Sequence, residues 1–171
     1  MDTAITRTTT IRRMTASPEP ASLADALGRA VTYAVVTLPM FALWELAHAP
    51  LYTLWIDAGP AAAWQAALHC TLGDAVIAFA CALAAPLLAR VLPWMRRAHR
   101  TEAVIVVLGV LTTVAIEWIS TRWLGRWAYR DLMPVDPLFG IGLSPLAQWI
   151  VVPLVALRIL RLRSRPEDVR D

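Results

Sequence analysis

Four runs of about 20 mostly apolar residues, set apart by clusters of arginine, constrain this chain more than any other feature. A helix needs roughly 20 residues to cross a hydrocarbon core of about 30 Å. The runs at about residues 30–49, 70–89, 102–121 and 138–157 meet that length. They are too long and too evenly apolar for the strands of a barrel, which alternate. Pro39, Pro86 and Pro153 fall inside three of them. Membrane helices tolerate proline where neighbours re-satisfy the freed carbonyls. The pattern therefore predicts an all-α bundle of four transmembrane helices.

Charge supports this and sets an orientation. Only 17% of residues are charged, against about a quarter in a soluble domain. This excludes a disordered chain, a coiled coil and most soluble enzymes of this length. A net charge of +3 would suit nucleic acid, but all 16 basic residues are arginine and they punctuate the apolar runs. No nucleic-acid partner is expected. Arg7, Arg12, Arg13 and Arg29 precede the first run, and Arg90, Arg96, Arg97 and Arg100 separate the second from the third. Arg158, Arg161, Arg163, Arg165 and Arg170 follow the fourth, while Arg122, Arg126 and Arg130 alone fall on the other side. Under the positive-inside rule, both termini face the cytoplasm of a bacterial inner membrane.

Residues 1–28 are rich in Thr, Ser, Pro and Arg, lack an apolar signal-peptide core, and read as a disordered cytoplasmic tail. Met14 is a second candidate start. Residues 29–162 form a single four-span domain, and residues 163–171 form a charged cytoplasmic tail.

The two outward loops, residues 50–65 and 122–142, are rich in Trp and too apolar for bulk water, so they are placed in the headgroup interface. Asp57 is positioned to cap the helix beginning near Pro60. Arg122, Arg126 and Arg130 follow i, i+4 spacing with Trp123 and Trp127 interleaved. That suits a lipid phosphate or an anionic amphiphile; the plainer alternative is a snorkelling interfacial helix.

Depth along the runs singles out a polar layer. Counted from the arginine anchors, Glu45, Asp74 and Glu117 each fall about four residues inside the outer boundary, roughly 6–7 Å deep. His48 and His69 lie about one turn above. Each acid costs roughly 2.5–3.5 kcal/mol at mid-helix, a cost that a shared wet or metallated cavity reduces. Packed carboxylates repel, so the group either shares a proton or binds a cation.

Glu45 and His48 lie at i, i+3 on one face, which Tyr52 continues if the helix persists through Pro50. One Glu-x-x-His unit is half of a dimetal carboxylate motif. Glu45, His48, His69, Asp74 and Glu117 together offer suitable donor types for a divalent metal such as Zn, Fe or Mn. His69 and Asp74, at i, i+5, reach one cavity only if it is wide or the helix is irregular near Gly73. The plainer alternative is a structural layer locking the helices: Glu45 with His48, Glu117 with Arg122 or Arg126, Asp74 with Thr71 or an indole.

Cys70 and Cys81 are about 16 Å apart along one helix and cannot bond to each other. Ser120, Ser144 and Thr113 read as helix glue, and Gln148 as a hydrogen-bonding residue between helices. The expected function is a small membrane enzyme acting on a lipid or other amphiphile. Glu45, Asp74 and Glu117 are its candidate acid–base residues, and Arg122, Arg126, Trp123 and Trp127 its headgroup contacts. A cation or proton transporter and a non-catalytic subunit of a membrane complex are the alternatives.

Overall fold

The computed structural model describes residues 22–95 and 97–163. Its order is α1 (Leu23–His48), a 3-10 turn (Ala49–Leu51), the short α2 (Leu54–Asp57), α3 (Gly59–Val91), a second 3-10 turn (Pro93–Met95), α4 (Ala98–Trp118) running into a π-helical turn (Ile119–Trp123), and α5 (Leu143–Arg163). No strand occurs among the described residues. The stretches Leu23–Leu51, Gly59–Val91, Ala98–Trp123 and Leu143–Arg163 are long and apolar enough to cross a membrane.

The long helices pack as a ring, α1 on α3, α3 on α4, α4 on α5 and α5 back on α1. On α1 the buried positions are Ala26, Ala30, Tyr33, Thr37, Phe41, Glu45 and His48, a seam of threes and fours. On α4 the seam is Ile105, Gly109, Thr113 and Glu117. Facing alanines on α3 (Ala78, Ala82, Ala85, Ala89) let α1 approach closely. The seams of α1, α4 and α5 change character along their length: small and large apolar side chains at one end, then Thr, Glu, His and Gln at the other. The fold thus has a dry end and a polar end.

Outward positions are large and apolar on every long helix: Leu43 is 70% exposed, Val76 67%, Leu111 60% and Leu154 54%. This is the reverse of a soluble bundle and suits a hydrocarbon solvent. At the dry end, Arg161 Nε donates to Glu102 Oε1 at 2.6 Å, tying α5 to α4.

Several boundaries differ from those read in the sequence. α1 starts at Leu23, not near residue 30, because Ser22 and Asp25 form a reciprocal capping box; the rest of the expected tail, residues 1–21, lies outside the described residues, as do residues 164–171. α3 is one continuous helix of 33 residues with Pro60 in its first turn, so the segment before Cys70 belongs to it. Asp57 closes α2 instead of capping α3, whose N-cap is Ala58 without a side-chain bond. The fourth helix starts at Leu143, not residue 138. The Asp136 carboxylate accepts N–H bonds from Leu138, Phe139 and Ile141, folding that segment into a turn completed by Gly140 at φ 65°. Pro39, Pro86 and Pro153 are carried inside helices as expected.

Candidate functional site

At the polar end the four long helices border a partly open cavity of about 380 Å³, within the range of small-molecule pockets. Its room comes from α3, where Ala63, Ala66, Ala67, Cys70 and Gly73 present almost no side-chain bulk toward it. The helix is regular through Gly73, so cavity width, not helix distortion, lets both His69 and Asp74 border the same space.

Glu45, His48, His69, Asp74 and Glu117 all line this cavity, which gathers every candidate acid–base and metal residue read from the sequence. Their direct partners divide them into two groups. In the first, Gln148 Nε2 on α5 donates to Glu45 Oε1 at 3.1 Å and to Asp74 Oδ2 at 3.0 Å. One side-chain amide thereby joins α1, α3 and α5 with both of its hydrogens. Trp149 Nε1 donates to Asp74 Oδ1 at 3.1 Å. His48 Nε2 lies 3.1 Å from Glu45 Oε2, and its Nδ1 lies 3.1 Å from Ser144 Oγ, which also accepts from Trp44 Nε1 at 3.3 Å. These contacts are all satisfied when Ser144 donates to Nδ1 and the His48 proton sits on Nε2 against the Glu45 carboxylate.

Glu117 anchors the second group. It accepts from Tyr52 at Oε1 (3.5 Å) and from Trp127 at Oε2 (3.5 Å). Tyr129 also donates to Oε2 through a short hydrogen bond. The partners expected for Glu117, Arg122 and Arg126, give way to these aromatic donors. They come from loops that join above the cavity: Thr53 N donates to Ala128 O at 2.9 Å, Arg130 N to Leu51 O at 2.9 Å, and Arg130 Nη1 to Pro50 O at 2.8 Å. Burial first, then Glu117 beside them, pushes the hydroxyl pKa of both Tyr52 and Tyr129 above the usual tyrosine range. Asp136, outside the cavity, is held below the usual carboxylate range by the backbone N–H groups it accepts, that of Phe139 first.

The helix does not persist through Pro50 as the Glu45–Tyr52 spacing required. Residues Ala49–Leu51 tighten into the 3-10 turn and Tyr52 is extended, so its ring meets His48 edge-on at 5.3 Å and turns toward α4. Nor do Arg122, Arg126 and Arg130 share a helical face. Arg122 lies within the π turn and the other two lie in the irregular loop beyond it. Arg126 and Trp127 line the cavity; Arg122 packs against Gly140, and Trp123 is 77% exposed.

Among the described residues, no three His, Cys, Asp or Glu side chains are grouped as metal ligands. Glu45 and His48 touch as a pair, while Asp74 and Glu117 turn to Gln, Trp and Tyr donors. Cys70 and Cys81 are both free thiols. Gln148 bonds between helices as expected, and the indole partner foreseen for Asp74 is Trp149. Tyr129, Trp149, Ser144 and Trp44 were not distinguished as site residues by spacing. Tyr129 arrives from an irregular loop, and Ser144 and Trp149 occupy the part of α5 that faces α1 and α3, a register the uniform hydropathy of that helix conceals.

No protein-family model, curated protein or solved structure matches this chain.

Proposed function

We propose that the chain is a multi-pass inner-membrane enzyme that performs acid–base chemistry on a lipid or other amphiphile held in the polar-end cavity. The carrying observation is the Glu45–Gln148–Asp74 bridge: two carboxylates from different helices, held side by side in the wall of a largely apolar cavity of about 380 Å³. Intramembrane acids are costly and mark function by default. A merely structural layer would leave no such volume beside them.

Glu45 and Asp74 are the proton-accepting groups. Each of their four oxygens meets a neighbouring donor in the fold, and a carboxylate oxygen has a second lone-pair site. Both ring nitrogens of His48 are engaged, so His48 acts through Glu45, orienting it with the Nε2 hydrogen. Glu117, engaged by both loops, keeps the cavity roofed. Arg126 and Trp127 hold the headgroup side of the amphiphile, whereas Arg122 and Trp123 anchor the protein in the membrane interface. Thirteen of 16 arginines lie toward the termini and the α3–α4 turn, so the positive-inside rule directs the cavity outward and both termini to the cytoplasm.

A transport path, the alternative, would have to continue through the dry end, where Tyr33, Phe41, Val152 and Ala156 fill the space. The two are separated by reconstituting the full chain with a bacterial polar lipid extract. Mass spectrometry follows the lipids while a pH-sensitive dye follows proton flux. A Glu45-dependent change in one lipid class is expected. Flux that depends on Asp74, without any change in lipid, would overturn the enzymatic reading.

A further inference from the structure

We propose that the group read by the cavity floor is a primary ammonium carried on an apolar chain. This rests on the reading of the cavity as an amphiphile site and adds the chemical class of its ligand.

The first argument is a count of hydrogen-bonding capacity. Glu45 and Asp74 are acceptors, and the donors within the fold that serve them are already committed. Both hydrogens of Gln148 Nε2 are spent, one on each acid. The Trp149 indole hydrogen is spent on Asp74, and His48 faces Glu45 and Ser144. The floor therefore presents spare acceptor positions, and a complementary ligand must bring the donors. An independent observation points the same way. Thr113 lines the cavity one turn from Glu117, is only 6% exposed, and its hydroxyl has no hydrogen-bond partner. A threonine in a helix ordinarily bonds back to a carbonyl one turn away, as Thr37 and Thr121 do here. The Thr113 hydroxyl is left for something in the cavity.

The second argument is charge. Three carboxylates border the cavity, against one fixed cation, Arg126, and two imidazoles, His48 and His69. A phosphate or carboxylate at the floor would meet acceptors and like charge. A hydroxyl brings one hydrogen and no charge, and a quaternary ammonium brings charge and no N–H. A primary ammonium brings positive charge and three donors. Tyr52, Trp55 and Trp127 supply aromatic wall for the cation, and Ile77, Ile116 and Leu124 supply apolar wall for the chain. Arg126 then meets whatever anionic group the amphiphile carries away from its amine. A long-chain amine and an aminophospholipid share this ammonium chemistry, and the test separates them.

The test measures ligand-dependent thermal unfolding of the full chain in a maltoside detergent. The probes are dodecylammonium, dodecyltrimethylammonium, dodecanol, dodecyl phosphate and lysophosphatidylethanolamine. Dodecylammonium is expected to raise Tm saturably, at a half-saturating concentration about tenfold below that of dodecyltrimethylammonium. Dodecanol and dodecyl phosphate are expected to give no saturable shift. Lysophosphatidylethanolamine binding more tightly than dodecylammonium, with the gain lost in Arg126→Ala, identifies an aminophospholipid; weaker binding identifies a free long-chain amine. Asp74→Asn weakens dodecylammonium about tenfold and Thr113→Val a few-fold, whereas Asp25→Asn, at the dry end, leaves the half-saturating concentration unchanged whatever it does to the ligand-free Tm. The ranking on the unsubstituted chain decides the matter even if a variant fails to fold. Equal shifts from the trimethyl, alcohol or phosphate probes, or an unchanged affinity in a folded Asp74→Asn protein, overturn the inference. Failure of the amines alongside Glu45-dependent lipid turnover would sink the ammonium assignment alone. Absence of turnover and of any saturable amphiphile binding would sink the enzymatic reading with it.

Discussion

The indole of Trp149 lies against the backbone of Gly109, in the space that a Cβ on α4 would occupy. This one missing side chain lets Trp149 reach across the bundle, stack beside Phe41 with centroids 5.0 Å apart, and place Nε1 3.1 Å from Asp74 Oδ1. A glycine on one helix thus sets the position of a donor on a second helix and of a carboxylate on a third.

Gly109→Val is therefore expected to expel the indole and cost about 1–3 kcal/mol through overpacking, with loss of activity. Trp149→Phe keeps most of the ring packing but removes the donor, so it should lower activity with a smaller loss of stability. Thermal unfolding in detergent and tryptophan emission check both. Equal stability of Gly109→Val and the unsubstituted protein would contradict this packing.

Gln148 supplies a donor to two acids at once, so Gln148→Leu leaves both Glu45 and Asp74 short of a partner. Interhelical hydrogen bonds in membranes contribute about 0.6 kcal/mol on average and up to about 1.7. Losing two predicts about 1–3 kcal/mol of destabilisation. A double-mutant cycle with Asp74→Asn should show coupling; additive effects would mean that the bridge does not form.

The fold was largely legible because run length and arginine spacing are set by bilayer thickness, a constraint visible in one dimension. The candidate acids were legible for the same reason, since depth can be counted along each helix. Their partners were not. Trp149 reaches Asp74 through a space defined by Gly109, and Tyr129 reaches Glu117 from a loop without periodicity. The turn at Asp136 reads as helix in the sequence because Leu138 and Phe139 extend the hydropathy of α5, while the deciding interactions are hydrogen bonds to a single carboxylate.

The roof over the cavity should respond to alkaline pH. Tyr52 and Tyr129 have hydroxyl pKa values raised by burial and by Glu117, so the folded state holds these protons more tightly than the unfolded chain does. Their contribution to stability is complete below the ordinary tyrosine pKa of about 10 and is lost as pH rises through the elevated values. Phenolate absorbance should show both ionising later than a free tyrosine. Tyr129→Phe, which removes a donor to Glu117, should loosen the antiparallel bridge between Tyr52 and Tyr129 that the Thr53 and Arg130 amides form, and speed exchange of those two amides. Titration of all three tyrosines near pH 10 in the folded protein would contradict the closed roof.

Acid–base chemistry at Glu45 and Asp74 predicts turnover that survives chelation. Dialysis against EDTA should leave the rate unchanged, while Glu45→Gln should lower it by about 10²–10⁴-fold, the usual contribution of a positioned proton acceptor. Loss of activity on dialysis, restored by Zn, Fe or Mn together with stoichiometric metal by elemental analysis, would show that the five donors regroup around an ion.

Occupancy of the cavity itself tests the central claim most directly. Native mass spectrometry of the full chain released from lipid nanodiscs should show one retained amphiphile per protein. Ala66→Trp, which fills the cavity from α3, should abolish that retention, while Leu72→Trp, on the outward side of the same helix and 52% exposed at that position, should leave it intact. Retention of the same amphiphile by a folded Ala66→Trp protein, or its absence from the unsubstituted chain, would contradict an amphiphile site in the polar-end cavity.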